Sequence, residues 1–119
     1  MSYVDGFVVP VPKRNLQAYL RMSRKSGKVW REHGALAYCE SVADDVKWGK
    51  RTSFPRSVKL KSGEAVWFSW IVYKSRKHRD SVLAKVMKDQ RLAAMMNPKA
   101  APFDARRMIY GGFKVRVDL

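Results

Sequence analysis

The sequence predicts an α+β domain in which four strands and two helices follow the order β-α-β-β-α-β, giving a four-stranded antiparallel sheet with both helices on one face. Three observations lead there. The stretch from Arg14 to His33 contains no proline and repeats small and apolar residues at helical spacing. Ala65 to Lys74 is apolar on both of its alternating faces, as in a strand covered on two sides. A second helical repeat, Val82, Leu83, Val86 and Met87, follows it. A chain of 119 residues allows one domain, 1–119, and hardly two.

The first strand is Tyr3 to Val11, rich in Val and Phe and closed by Pro10 and Pro12, which cannot donate to a ladder. The helix from Arg14 to His33 turns Leu16, Tyr19, Leu20, Ser23, Ser26, Gly27, Trp30 and His33 to one face and a row of arginines and lysines to the other. Gly34 stands where a left-handed C-cap residue is expected. The middle of the apolar stripe is small, so a sheet can come close there. Leu36 to Val42 alternates between a bulky side with Tyr38 and Glu40 and a small side with Ala37, Cys39 and Ser41. The small side is expected against the helix, with Glu40 facing away and Cys39 an inert core residue.

Asp44 to Gly63 is polar, cationic and broken by Gly49, Pro55 and Gly63, a long excursion of the kind that often serves function. The second helix starts at Ser75 and ends near Asp89, with further turns expected over Gln90 to Asn97 before Pro98 stops them. The last strand is Met108 to Val117, with Gly111-Gly112 at its middle. This is a ferredoxin-like split βαβ plan. It leaves one sheet face without helices, and burying that face against a second copy predicts a homodimer whose two sheets form an α+β barrel.

Charge narrows the partners. Lys plus Arg number 25 and Asp plus Glu 10, a formal charge of +15. A field of that sign attracts nucleic acid or anionic lipid without sequence preference. The cations are spread over every segment, so a solvated basic surface is favoured and a basic RNA-binding module is kept as the alternative. One cysteine excludes an intrachain disulfide framework. The longest largely apolar stretch has nine residues, Ala65 to Tyr73, where a membrane span needs about 20. The absence of a signal core at the start leads to the expectation of a cytoplasmic protein without membrane contact.

The opening Tyr3-Val4-Asp5-Gly6-Phe7, the stretch Phe68 to Arg76, the following His78-Arg79-Asp80 and the ending Arg106 to Phe113 resemble the YbaA-like family of small bacterial proteins, placed in the dimeric α+β-barrel superfamily. The likeness spans nearly the whole chain. It implies a ligand cavity and no particular reaction, because related barrels host several chemistries.

The candidate site rests on ionisable residues in apolar strands. Asp5, Glu40 and Arg107 are expected to converge on the open sheet face, where burial and mutual charge would tune them for acid/base work. The plain alternative for each is a structural ion pair or an outward-facing charge. His33 is a further acid/base candidate, and Trp48 and Tyr110 are candidate lid and rim aromatics. Two histidines and one cysteine at no ligand spacing argue against a protein-held metal, and no cofactor is expected. The resulting expectation is a small-molecule site, with or without turnover, and a structural dimer that holds no ligand is kept as a further alternative beside RNA binding.

Overall fold

The structure, a computed structural model, describes residues 2–93 and 101–119. β1 (Tyr3–Pro12) runs into a single 3-10 turn, Lys13–Asn15, and then into α1 (Leu16–Glu32). β2 (Ala37–Val42) follows, then a short helix α2 (Phe54–Ser57) within the excursion, β3 (Glu64–Tyr73), α3 (Arg76–Met87), α4 (Gln90–Ala93) and β4 (Ile109–Lys114). The expected helical turns beyond Ala93 lie outside the described residues. The sheet order is β2-β3-β1-β4, and every pairing is antiparallel. The expected ferredoxin-like arrangement is therefore the one observed.

Local chemistry sets the element ends. α1 stops at Gly34, whose φ of 117° only glycine adopts freely. The amides of Gly34 and Ala35 then turn back to the carbonyls of Arg31 and Trp30. α3 starts at Ser75, whose hydroxyl accepts from the His78 amide at 3.1 Å, and α2 starts the same way at Ser53.

The β1–β3 register pairs Tyr3 with Tyr73, Asp5 with Ile71, Phe7 with Ser69 and Val9 with Trp67. These residues face the helices. Tyr3, Ile71 and Tyr73 pack with Val29, Val82 and Val86. Val9, Val11 and Trp67 pack with Tyr19.

Three expectations of facing are corrected. Asp5 lies on the helix-covered face, because Arg79 of α3 comes down to meet it. Tyr38 pairs with Ile71 and Glu40 with Ser69, so the bulky side of β2 faces α1. A Cβ on Gly27 would stand 2.7 Å from Tyr38 Cδ1, which shows the small position of the helix receiving the large residue of the strand. Cys39 is consequently exposed on the opposite face and is not a core residue.

Among the described residues that opposite face carries no helix of the βαββαβ set, as expected, but the excursion covers part of it. Val58 and Leu60, just beyond α2, pack on Val8 and Val66. Phe54 meets Phe68 edge-on, with ring centroids 5.8 Å apart. Arg107 ties this segment down by donating to the Val58 and Lys59 carbonyls. What stays uncovered is apolar, with Phe68, Ile109 and Phe113 between 45% and 62% exposed. Gly6 and Gly111, paired across β1 and β4, floor a trough there, walled by Phe68, Trp70, Ile109 and Phe113.

Candidate functional site

The candidate site residues fall into separate places. Asp5 is buried and accepts from Arg79 Nη1 at 2.7 Å, and the Arg79 guanidinium also lies 5.0 Å from the Tyr3 ring. Burial pushes the Asp5 carboxyl above its ordinary range, and Arg79 acts in the opposite direction. Arg107, just before β4, holds Glu64 through two parallel bonds, the longer of 2.8 Å, and reaches Asp104 at 3.1 Å. Those bonds hold Glu64 below its usual range and Asp104 down to about 2. His33 Nε2 lies 2.8 Å from Asp89 Oδ2, tying the end of α1 to the chain beyond α3. Asp5, Glu40 and Arg107 therefore do not converge on the open face: each of the first and last is neutralised by its own partner, and only Glu40 is left without one among the described residues.

Trp48 is exposed in the excursion, with Arg56 6.0 Å from its ring. It borders none of the cavities described below. Tyr110 is 72% exposed on edge strand β4 and stacks on Phe7 with centroids 6.0 Å apart.

Glu40 instead lines a cavity of about 200 Å³ between α1 and the covered face of the sheet. Its walls are Phe7, Trp30 and Ile71, and its polar groups come from Glu40, Tyr19 and Ser69. The space follows from side-chain size. Ser69 stands opposite Glu40 in the register, where a large strand residue would fill the void. Ser23, Ser26 and Gly27 keep the facing stripe of α1 small. Tyr38 closes one side, its hydroxyl 3.3 Å from Ser23 Oγ. Trp30 is fixed by donating from Nε1 to the Tyr73 hydroxyl at 3.2 Å.

Electrostatics keep the two phenols beside Glu40 protonated. Burial pushes the Tyr19 hydroxyl far up, and the Glu40 carboxylate adds to it. Tyr38 is pushed up to about 12, again by burial first; its bond with Ser23 pulls down and Glu40 pushes up. One carboxylate flanked by neutral hydroxyl donors in an aromatic lining is a combination that binds and orients a small molecule.

Sequence reasoning named Glu40 and missed Tyr19, Tyr38 and Ser69. The signal was present: small residues at the centre of a helix stripe and a lone serine inside the run Phe68-Ser69-Trp70 mark two surfaces that leave room where they meet. Among the described residues no group of three or more His, Cys, Asp or Glu could hold a metal, and no helix is long and apolar enough to cross a membrane.

Comparison with known proteins gives family and fold. A family model described as "Protein of unknown function (DUF1428)" matches residues 2–105. The uncharacterized protein YbaA of Escherichia coli K12 is 45% identical over 118 residues, covering 99% of each chain, and the Shigella flexneri protein of the same name matches equally. A dimeric ferredoxin-like protein from an uncultured marine organism superposes with a TM-score of 0.62 over the full length of both chains at 10% identity, a likeness of fold alone.

Proposed function

This chain belongs to the DUF1428 family, and from that premise we propose that it is a homodimeric small-molecule-binding protein, joined through its open sheet face and holding one ligand per protomer between α1 and the sheet. The observation that carries this reading is the cavity of about 200 Å³ in which Glu40 stands beside Tyr19, Tyr38 and Ser69. Such a lining equips proton transfer. The Glu40 carboxylate takes a proton from the ligand, and the phenol hydroxyls donate to the anion that remains.

Self-association is supported by the uncovered apolar trough and by the dimeric state of the marine ferredoxin-like neighbour. The trough spans three strands, β1, β3 and β4, about 4.8 Å apart and about six residues long, a footprint of about 300 Å². An apolar patch of that size is often functional.

The test combines thermal-shift screening with mass determination. Single-ring aromatics should raise the melting temperature of the parent, and Ser69→Leu, which fills the cavity, should abolish the shift while the protein stays folded. Glu40→Gln should keep the fold and change which ligands bind. Shifts that persist in Ser69→Leu would overturn the cavity, and a monomer at micromolar concentration would overturn the dimer.

A second reading, polyanion binding, is favoured by one observation. The acids of the fold are largely consumed by Arg79, Arg91 and Arg107, leaving Lys47, Lys50, Arg51, Arg56, Lys59 and Lys61 without a carboxylate at ion-pair distance among the described residues. It predicts affinity for structured RNA that survives 150 mM salt. Loss of binding there, with no preference over heparin, would leave only a basic surface.

A further inference from the structure

The excursion decides how a second copy can sit on the open face. Val58 and Leu60 cover Val8 and Val66 at one end of that face, Phe54 lies against Phe68 beside them, and Arg107 fixes the segment there through the Val58 and Lys59 carbonyls. Two rows beyond it stay accessible: Trp70 with Gly6 and Gly111, and Val72 with Val4 and Phe113. Contact between copies is made there.

Sheets packed face to face lie about 10 Å apart, a gap that the side chains of both fill. Main chain lying on one sheet takes up that gap by itself, so two excursions at the same end would hold the sheets apart over the rows that must meet. Charge acts in the same direction. The excursion carries Lys47, Lys50, Arg51, Arg56, Lys59 and Lys61 with no acid between Asp45 and Glu64, and two such segments side by side would repel.

The glycines show that something from outside enters the face. Neither Gly6 nor Gly111 has a positive φ, and a Cβ on either would meet Phe113 Cε1 first, at 4.0 and 3.7 Å, which are ordinary contact distances. Gly112 differs, because a Cβ there would run into the Tyr3 hydroxyl. Nothing among the described residues of the protomer calls for glycine at 6 or 111, so the room above them serves another molecule.

Resting on the dimer reading above, we propose that the two copies pack about a two-fold axis that lies between the sheets and runs across the strands. Each strand then lies over its own counterpart in reverse, the excursions stand at opposite ends, and side chains of each copy fill the space over Gly6 and Gly111 of the other.

The experiment measures copy-to-copy distances with spin labels. Ser57 is exposed at the end of α2, and Ser57→Cys in a Cys39→Ser background gives each copy one labelling site. Pulsed electron resonance on the dimer should read about 20 Å or more, the length of about six strand residues, whereas excursions at the same end would bring the labels to about the sheet separation of 10 Å. Gly111→Val, which the protomer has room for, should keep its fold by circular dichroism and weaken association at least tenfold. Labels at the shorter distance, or unchanged association of a folded Gly111→Val, overturn this packing and leave the dimer standing. A parent that is monomeric at micromolar concentration overturns the dimer reading together with this one.

Discussion

The two faces of the sheet solve opposite problems with similar residues. The covered face holds Asp5, neutralised by Arg79, and Glu40, neutralised by nothing among the described residues but surrounded by hydroxyls. Among the described residues the open face has no charge at its centre, only Val4, Val8, Phe68, Trp70, Ile109 and Phe113 around two glycines. An apolar face left outside is the reverse of what a monomer needs. On the proposed reading the two faces divide two tasks, ligand binding under α1 and assembly on the other side.

The largest effect should come from charging the open face. Phe68→Glu should weaken association at least 100-fold, read as a halved mass in light scattering. Cys39, exposed on the same face opposite Trp70, supplies an internal reporter. Its thiol should react slowly with a disulfide reagent in the parent and at least tenfold faster in Phe68→Glu. Equal rates would break the assignment of assembly to that face.

Next comes the ion pair on the covered side. Arg79→Met leaves a buried carboxylate without its charged donor, with only the Tyr73 hydroxyl still beside it, and should cost about 1–3 kcal/mol by denaturant unfolding. The sign of its pH dependence follows from Asp5. A carboxyl raised by burial favours its protonated form in the fold, so its contribution is greatest below the unfolded value of about 3.9 and is lost as pH rises through the folded value. Removing Arg79 raises it further, so the deficit should be larger at pH 7 than at pH 4.

Gly27→Ala probes the close approach over the cavity. The added methyl gains about 1 kcal/mol of helix propensity. It also meets Tyr38 at 2.7 Å, an overpacking of about 1–3 kcal/mol. The expected outcome is a net loss of about 1 kcal/mol in chemical unfolding, with weaker ligand binding as Tyr38 shifts.

The smallest effect concerns the clamp between the two faces. Glu64 and Asp104 are held low by Arg107, so their stabilisation is complete above the ordinary carboxylate range and is lost as pH falls from about 5 toward 2. Arg107→Met should flatten that acid slope in a melting-temperature profile. An unchanged slope would mean that other carboxylates dominate it.

Much of this fold was legible because periodicity survives translation into structure. The small and apolar stripe of α1, the two-sided β3 and the glycine after α1 all read directly. Facing did not. Alternation divides β1 into an Asp5 set and a Val4 set, both largely apolar, and the partner that draws Asp5 inward stands at Arg79 on another element. For β2, small was matched to small, whereas packing fills Gly27 with Tyr38. The candidate site suffered most, since it depended on facing. Glu40 survived because an unpaired acid within a strand stands out on either side, while Tyr19 and Ser69 became visible only once α1 and β3 were juxtaposed. Within the excursion, Phe54, Val58 and Leu60 among the cations marked the docking onto Val8 and Val66.

The first strand made is a central strand of the sheet, held between β3 and β4. During synthesis it leaves the ribosome with no ladder partner until residues 64–73 have emerged, about 60 residues later, a wait of roughly 3–12 s at ordinary elongation rates. Over that interval an apolar segment is open to pairing with other nascent chains. Asp5 and Gly6 near its start and Pro10 and Pro12 at its end interrupt the run, leaving Phe7-Val8-Val9 as the longest uninterrupted apolar piece, shorter than the five to seven residues that aggregating segments use. The residues that look out of place in the finished sheet are those that keep it from forming between the wrong molecules.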